Sequence, residues 1–368
     1  MSIKRVKIYG AGSIGNHLTN ASRTLGAEVV VVDLNRGALD RMKNEIYPAR
    51  YGAWDDTIRL CTPDEQPRGG FDLICVGTPP QHHLPLALEA LKESPRAIQV
   101  EKPLCPPSLA LADDIARALA ATSTKMFVGY DHVVGRAARQ TEEILRSGVI
   151  GEVKTFDVEF REHWGGIFKA HPWLSGPADS YLGFWEAGGG ASGEHSHALN
   201  FWQYISHFLG FGRVAEVAAM LTYVQDGKAC YDSICLLQMV SEKGLVGRVV
   251  QDVVTQPVKK WAFIQGTHGT LEWHNGYDSK GDAVLLRLAG KAVEVFGCPK
   301  IRKDDFIEEI RHIDAHLDGP VNTSPMSLER GLETMMVLAA AHRSEREKRR
   351  IRIDYSKGWV PAALHIAS

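Results

Sequence analysis

The first third of the chain alternates short apolar runs with helical stretches. The apolar runs predict strands at Arg5–Tyr9, Glu28–Asp33, Leu73–Val76, Ala97–Val100 and Lys125–Val128. The stretches between them predict helices near Ile14–Leu25, Pro85–Glu93 and Ser108–Thr122. Strands that alternate with helices in this way are typical of a parallel sheet with helices on both faces. Residues 1–130 are therefore expected to form a doubly wound α/β domain.

The pattern changes after Gly151, where long runs alternate apolar and polar residues. Such alternation predicts antiparallel strands with one buried and one wet face. The runs are Val153–Glu162, Val214–Tyr223, Ser233–Val240 and Leu245–Thr255, and helices return at Phe306–Leu317 and Ser327–Glu345. Residues 131–368 are therefore expected to form an α+β domain with a large open, mainly antiparallel sheet, whose last helices can pack back on the first domain. An open sheet with one apolar face usually needs a partner to cover it, so a homodimer or homotetramer through this sheet is expected.

A glycine-rich turn lies between the first predicted strand and the first predicted helix. Gly10, Gly12 and Gly15 form the pattern G-x-G-x-x-G, with Ser13 and Ile14 at the start of the helix. The first glycine allows a tight turn, the second leaves room for a pyrophosphate, and the third lets the helix pack closely on the sheet. The N–H groups at the helix N-terminus favour phosphate. We therefore expect a dinucleotide to bind at this turn.

Asp33 ends the second predicted strand, and its position favours NAD as the cofactor. A carboxylate there accepts hydrogen bonds from the adenine-ribose hydroxyls and repels the 2′-phosphate of NADP. Arg36 lies three residues further on, where a guanidinium is either a partner for that phosphate or an ordinary surface residue. NAD is therefore the expected cofactor and NADP the alternative.

Composition and charge exclude several classes of protein. The chain has 368 residues, about the length of two domains, and a formal net charge of −2. This charge gives no electrostatic reason to expect nucleic acid or an anionic membrane as a partner. There is no apolar run of about 18 residues and no signal peptide, so a cytoplasmic location is expected. The six cysteines have no paired C-x-x-C spacing and are interpreted as free thiols in a reducing cytosol.

Two motifs follow predicted strands at the edge where open α/β sheets bind ligands. Thr78 and Pro79 follow the third predicted strand and would form a wall of the cofactor cleft. Glu101, Lys102 and Pro103 follow the fourth. A lysine held there can aim its amine into the crevice, where it is a candidate acid or base.

The order of these motifs resembles the glucose–fructose oxidoreductase / inositol dehydrogenase (Gfo/Idh/MocA) family. The resemblance covers nearly the whole chain, through Gly129–His132, Ser147–Glu152, Gln265–Leu271 and Ala341–Ser344. It implies an N-terminal Rossmann domain and a C-terminal domain whose sheet supports oligomers. It also implies NAD(P)-dependent oxidation or reduction at a hydroxyl of a sugar, cyclitol or nucleotide sugar.

The resemblance also implies roles for individual residues. Lys102 matches the family's catalytic lysine, and His83 and Glu101 join the expected cofactor site. Asp131 and His132 are expected to buttress the crevice, and His132 to hydrogen-bond Lys102 or the substrate.

Residues 188–200 resemble the family's glycine turn that enters a helix. Family members commonly carry an Asp four residues before a His and another Asp three residues after it. Aligning on His197 places Gly193 and Asn200 at the two acid positions. Glu194 is then expected to replace the first acid, because residues three apart share a helix face. His195 lies on a different face and is a weaker candidate for substrate binding.

The proton chemistry needs a group that takes the hydroxyl proton as hydride leaves a secondary alcohol. Histidine titrates nearest neutrality, so His197 and Lys102 are both candidates, with Glu194 orienting or polarising. The sequence leaves open which of the two is the formal base. A Glu-x-x-His spacing also occurs in metal pairs, but no second such motif is evident and no metal is expected.

The segment before the glycine turn is rich in aromatic and imidazole side chains. His163, Trp164, Trp173 and Trp185 are expected to bind substrate, because aromatic faces with nearby polar groups suit sugar rings. Loop packing or an oligomer contact explains the same residues equally well.

The sequence therefore predicts an NAD-dependent oxidoreductase that acts on a CH–OH group of a carbohydrate-like substrate. Two alternatives stay open. One is an enzyme that uses bound NAD transiently during glycoside cleavage or elimination, without net redox change. The other is a non-catalytic regulator that senses NAD or a sugar.

Overall fold

The computed structural model describes residues 2–169 and 171–367, with the side chain of Asn322 excepted. The strands of its N-terminal part are β1 (Arg5–Tyr9), β2 (Glu28–Val32), β3 (Arg59–Cys61), β4 (Leu73–Val76), β5 (Ala97–Val100) and β6 (Lys125–Val128). They form one parallel sheet in the order β3-β2-β1-β4-β5-β6. The strand order reverses between β1 and β4, and the crevice above this point is where such sheets bind ligands.

Helices connect these strands. They are α1 (Ser13–Thr24), α2 (Arg36–Arg41), α3 (Tyr47–Tyr51), α4 (His83–Leu91), α5 (Ala112–Ala120) and α6 (Arg136–Arg146), with a π-helical turn at Met42–Ile46. The helix predicted from Ser108 begins later, at Ala112. The reason is local, since Leu109 and Leu111 have φ angles of 58° and 63° and so cannot lie within a right-handed helix.

The C-terminal part is built on a ten-stranded sheet. Its strands are β7 (Val153–Arg161), β8 (Val214–Asp226), β9 (Ala229–Ser241), β10 (Val246–Asp252), β11 (Lys259–Gly266), β12 (Gly269–Asp278), β13 (Gly281–Leu288), β14 (Glu294–Pro299), β15 (Ile351–Ile353) and β16 (Leu364–Ile366). The order is β14-β13-β12-β11-β7-β10-β9-β8-β15-β16, and β7 with β10 is a parallel pair in an otherwise antiparallel sheet. The predicted fold class is therefore confirmed.

The helices that follow in this part of the chain are α7 (Trp164–Lys169), α8 (Gly190–Glu194), α9 (His197–Phe208), α10 (Arg302–Ala315) and α11 (Leu328–Glu347). Helix α9 packs on β7, and α11 packs on β8. Apolar side chains on β8 and β9 remain exposed, since Met220 and its register partner Leu236 are 63% and 39% accessible. None of the described helices is long and apolar enough to cross a membrane.

The last two helices return to the parallel sheet. Helix α10 packs on α1, where the His17 ring stacks on Phe306 with centroids 4.3 Å apart. Helix α11 contacts β6 and α5. The two sheets thus share one continuous apolar core, and the division of domains at residue 130 stays a prediction.

A buried ion pair links β1, through Lys7, to Glu93 just after α4. Its removal tests how strongly the packing of α4 against the parallel sheet depends on this contact. Lys7 Nζ lies 2.7 Å from Glu93 Oε1, and the two side chains are 0% and 5% exposed. Burial lowers the pKa of Lys7. Replacement of Glu93 by Ala would leave the ammonium group buried without a counter-charge, which typically costs about 3–5 kcal/mol.

We therefore expect Glu93→Ala to lower the free energy of unfolding by that amount in urea denaturation. The matched control is Glu89→Ala, because Glu89 pairs with Lys92 at the surface and such pairs are worth about 1 kcal/mol or less. Equal stability of the two variants would contradict this account.

Candidate active site

The glycine turn has the geometry of a phosphate-binding loop. Gly10 has φ +102°, and an added Cβ would lie 2.7 Å from Gly77 O. At Gly15 an added Cβ would lie 1.9 Å from Gly10 O, so both glycines are required by packing. Gly12 differs, because nothing lies within 4 Å of its ideal Cβ position. Gly12 is also the N-cap of α1 and makes no side-chain cap, so open space and helix N–H groups coincide where a pyrophosphate is expected.

Asp33 is fixed at the end of β2 beside this loop. Its Oδ2 accepts a hydrogen bond from Ala11 N, and its Oδ1 accepts one from Asn35 N, both at 2.8 Å. Arg36, the candidate partner for a 2′-phosphate, instead donates to Glu65 Oε1 at 2.8 Å. The local charge at this end of the cleft therefore suits NAD better than NADP.

The carboxyl ends of β4 and β5 form the other wall of the cleft. Thr78, Pro79, Glu101 and Lys102 line a cavity of about 220 Å³ together with Gly12, Ser13 and Ile14. The Thr78 hydroxyl is buried there without a hydrogen-bond partner, which fits a ligand group in the cleft. Burial, together with the nearby Asp131 charge, raises the pKa of Glu101 to about 8.

His83 does not line this cavity. It is 1% exposed, and its ring nitrogens lie 2.6 Å from Thr78 O and 2.9 Å from Pro103 O. Burial lowers the pKa of His83 to about 4. The structure therefore makes His83 a brace between the two loops of the cleft, in place of the direct cofactor contact expected from the sequence.

Lys102 is held by the end of α8. Its Nζ donates to Glu194 Oε2 at 3.0 Å and to the Glu194 carbonyl oxygen at 2.9 Å. The two side chains are 12% and 19% exposed. Burial opposes ionisation of Glu194, but the Lys102 charge keeps the pKa of this carboxyl below its usual value. Lys102 is thus a hydrogen-bond donor with a fixed direction.

The prediction that Glu194 and His197 share one helix is wrong. Helix α8 ends at Glu194, α9 begins at His197, and a turn separates them. Gly193, at the position of the family's acid, has no room for any side chain, because an added Cβ would lie 2.0 Å from Gly188 O.

The turn is anchored by Asp232, which the sequence did not suggest. Its carboxylate accepts hydrogen bonds from Ser192 N at 2.7 Å and Ser192 Oγ at 3.0 Å. Burial raises the pKa of Asp232 to about 7. An added Cβ at Gly190 would lie 2.0 Å from Asp232 Oδ1, so the turn requires glycine there as well.

His197 has an acidic partner from a different element. Its Nδ1 lies 3.6 Å from Asp131 Oδ1, and neither atom has a hydrogen-bond partner. The second oxygen of Asp131 accepts a hydrogen bond from Arg302 Nη1 at 2.9 Å. Burial alone would raise the pKa of Asp131, but Arg302 and His197 hold it at about 2. The carboxylate that lies beside His197 is therefore that of Asp131, whereas the carboxylate of Glu194 is bonded to Lys102.

His132 completes this cluster. Its Nδ1 lies 3.8 Å from Asp131 Oδ1, and its ring centroid is 4.6 Å from that of His197. Burial lowers the pKa of His132 and of His197 well below the ordinary value, and the neighbouring positive groups lower both further. Both imidazoles are therefore neutral at pH 7, so each can accept a proton.

The same three side chains are the one group among the described residues that could hold a metal ion, with ligand atoms within 4.8 Å of one another. Arg302 bonds Asp131 directly, and the charges of Lys300 and Lys102 also act on the histidines. These cations oppose a further positive charge. The expectation of no metal stays a prediction.

Several of these groups line a second cavity of about 490 Å³, which we call the larger cavity because it exceeds the cofactor cleft in volume. Lys102, His132, Glu194, His195 and His197 all line it. Lys102 and Glu194 also line the cofactor cleft, as do Ser13 and Ile14. The two cavities therefore adjoin along residues that include Lys102 and Glu194.

The aromatic residues predicted to bind substrate mostly lie elsewhere. Trp164 is buried against Phe168 and Tyr231. Trp185 stacks on His342, with centroids 4.5 Å apart. His163 accepts a hydrogen bond from Gly165 N at the start of α7. These three line neither cavity, whereas Trp173 lines the cofactor cleft.

Several residues that line the larger cavity were missed. Lys260, Asn275 and Asp282 come from the β11–β13 region, and Lys300 and Arg302 precede or begin α10. They are far from the glycine turn along the chain and carry no motif. The pairing of β11, β12 and β13 in the second sheet and the position of α10 bring them to the site.

Comparison with known proteins agrees with this architecture. A model for an oxidoreductase family with an NAD-binding Rossmann fold matches residues 4–130, and a GFO/IDH/MocA C-terminal domain model matches residues 138–272. No curated protein sequence matches the chain.

Similar solved structures cover almost the whole chain. Levoglucosan dehydrogenase in complex with NADH and levoglucosan is 17% identical with a TM-score of 0.75, covering 95% of this chain and 99% of its own. Aldose-aldose oxidoreductase from Caulobacter crescentus, complexed with glycerol, is 17% identical with a TM-score of 0.74, covering 95% and 100%. The WlbA dehydrogenase from Bordetella pertussis, with NADH and UDP-GlcNAcA, is 19% identical with a TM-score of 0.68, covering 95% and 98%. At these identities the likeness is one of fold, and with the two family models it establishes that the chain belongs to the Gfo/Idh/MocA family of oxidoreductases with an NAD-binding Rossmann domain.

Proposed function

We propose that this protein is an NAD-dependent dehydrogenase or reductase that acts on a hydroxyl or ketone carbon of a carbohydrate-like substrate. The observation that supports this proposal best is that Lys102 and Glu194 line both the cofactor cleft and the cavity that contains His197. A substrate in that cavity would lie next to the nicotinamide end of the cleft. NAD, when bound, supplies the acceptor or donor of hydride.

In this proposal His197 is the proton acceptor and Lys102 binds the substrate oxygen. Lys102 is ion-paired with Glu194, so its ammonium group is a donor that polarises a hydroxyl or carbonyl oxygen. His197 is kept neutral by its buried surroundings and can take the hydroxyl proton as the C–H bond breaks. Asp131 then stabilises the imidazolium that forms, as a buried carboxylate does beside a catalytic histidine.

The exposed apolar face of the second sheet supports a homo-oligomer. Met220 and Leu236 are accessible on adjacent strands, and a second copy of the sheet would remove them from water. The six cysteines are free, and all but Cys230 are buried, which agrees with the reducing cytoplasm that we propose as the location.

Removal of either reacting side chain tests the assigned chemistry. We expect Lys102→Ala and His197→Ala each to lower kcat by about 10²–10⁴-fold, because each removes a group that acts on the moving proton. NAD affinity, measured by fluorescence titration, should stay nearly unchanged. Loss of NAD affinity with unchanged kcat would contradict the roles, and bound NAD that turns over without net reduction would favour a lyase or glycosidase.

The role of Asp131 is tested by Asp131→Asn. Loss of its charge removes the partner of the imidazolium, so kcat should fall by about 10²-fold or more. Asp131 raises the pKa of His197 against the effect of burial. The acid limb of the kcat/KM profile should therefore lie below about pH 6.5 in the wild type and move lower still in the variant.

The matched control is Asp305→Asn. Asp305 also bonds Arg302, at 2.9 Å, but forms no ion pair with His197 among the described residues. An equal loss of kcat in both variants would mean that Asp131 acts only by holding Arg302.

Cofactor preference depends on Asp33 and Arg36. We expect Asp33→Ser combined with Glu65→Ala to raise the ratio of kcat/KM for NADP to that for NAD by about tenfold or more, because repulsion is lost and Arg36 is released. Asp56→Ser is the control, since Asp56 is an exposed carboxylate of the same domain. An unchanged ratio in initial-rate assays would refute this assignment.

A further inference from the structure

A third cavity, of about 730 Å³, adjoins the proposed substrate site. His17, Ile301 and Arg302 line both cavities, so they form the boundary between them. Beyond this boundary the walls are the segment from α2 to α3, the start of α10, and the chain around Trp173.

The charge of this third cavity is strongly positive. Among the described residues that line it, the cations are Arg41, Arg50, Lys169, Arg302 and Lys303, and the one carboxylate is Glu45. Arg302 is compensated by Asp131 and Asp305. Within residues 2–169 and 171–367, no carboxylate pairs with Arg41, Lys169 or Lys303.

Besides the positive charge of the lining, the surroundings of Arg41 also indicate a ligand site. Its Nε is buried without a hydrogen-bond partner, while its guanidinium lies 5.5 Å from the centre of the Trp173 ring. Buried donors are nearly always satisfied by protein, water or a ligand. A guanidinium fork matches the oxygens of a phosphate group, and the aromatic face beside it suits an adjoining planar ring.

The dinucleotide does not account for this charge. Gly12, Ser13 and Ile14, where its pyrophosphate is expected, line the other cavities and not this one. Asp33 and Arg36, at the adenosine end, do not line it either. The positive cavity is therefore open to a second anionic group while NAD is bound.

We propose that this cavity binds a phosphate or pyrophosphate group of the substrate, so that the substrate is a phosphorylated or nucleotide-linked sugar. This inference rests on the proposed function, because the reacting carbon must lie between Lys102 and His197 while the anionic part extends past Arg302. The unpaired cations then attract the substrate and fix its direction in the cavity.

Binding of inorganic pyrophosphate to the NAD-saturated protein tests the site without any turnover. We expect calorimetry to detect binding in the wild type and about a tenfold higher Kd in Lys303→Glu. The substitution is compatible with folding, because the first turn of a helix favours carboxylates. Lys291→Glu makes the same change of charge at an exposed turn between β13 and β14 and should leave Kd unchanged. Binding that NAD abolishes, or an equal Kd in Lys303→Glu, would overturn the proposal.

Initial rates then identify the source of the phosphate. We expect a sugar phosphate or a nucleotide-linked sugar to have a kcat/KM at least about tenfold above that of the parent neutral sugar, with the advantage lost in Lys303→Glu. At saturating NAD, Trp173→Leu should raise the KM of a nucleotide-linked substrate but not that of a sugar phosphate, since the indole face can stack on a base. Preference for neutral sugars without pyrophosphate binding would refute this inference alone. Pyrophosphate binding without redox activity on any sugar would refute the proposed function and leave the anion site in place.

Discussion

The ion pair between Lys102 and Glu194 is the contact on which the arrangement of the site depends. Lys102 belongs to the edge of the parallel sheet, and Glu194 belongs to the end of a helix that packs on the antiparallel sheet. The ammonium group bonds the carboxylate and also the main-chain carbonyl of the same residue. A largely desolvated pair needs such additional bonds to be favourable. With both in place, the pair fixes the helix end as well as the side chain, at the boundary between the cofactor cleft and the larger cavity.

The surroundings of His197 show how a carboxylate can be placed beside an imidazole from a distant part of the chain. The turn through Gly188 and Gly193 is so tight that no acid fits at the usual position. A carboxylate is supplied instead by Asp131, from the loop after β6, and Arg302 keeps it ionised within a buried cluster. The negative charge beside the imidazole thus comes from another part of the chain, and the glycine turn is free to pack closely against Asp232.

Much of the fold could be predicted because its signals are local. The strands β1, β4, β5 and β6 have the predicted bounds, since continuous apolar runs between turns are a strong pattern. Strand β13 could not be found in this way. Residues 282–286 are all buried, so the alternation that marks a half-exposed strand is absent.

The places of residues around the clefts were predictable where they belong to one short motif, and less so where tertiary contacts decide what a side chain meets. The glycine turn, Asp33, Lys102 and His197 were expected from their positions along the chain. His83 was assigned to the cofactor, although burial between two carbonyl oxygens makes it a brace. Trp185 was assigned to the substrate, but His342, over 150 residues later in the sequence, takes up its ring face. No local pattern distinguishes an aromatic ring that will meet a ligand from one that will meet the core.

The return of α10 to α1 has a consequence for how small molecules enter and leave. Swinging the two sheets apart would unstack His17 from Phe306 and bring Ile310, which is fully buried, into water. A hinge motion between the halves would therefore expose apolar surface and cost free energy. The stretch around Trp173 borders both the cofactor cleft and the basic cavity, so a local displacement there would widen both without separating the two sheets.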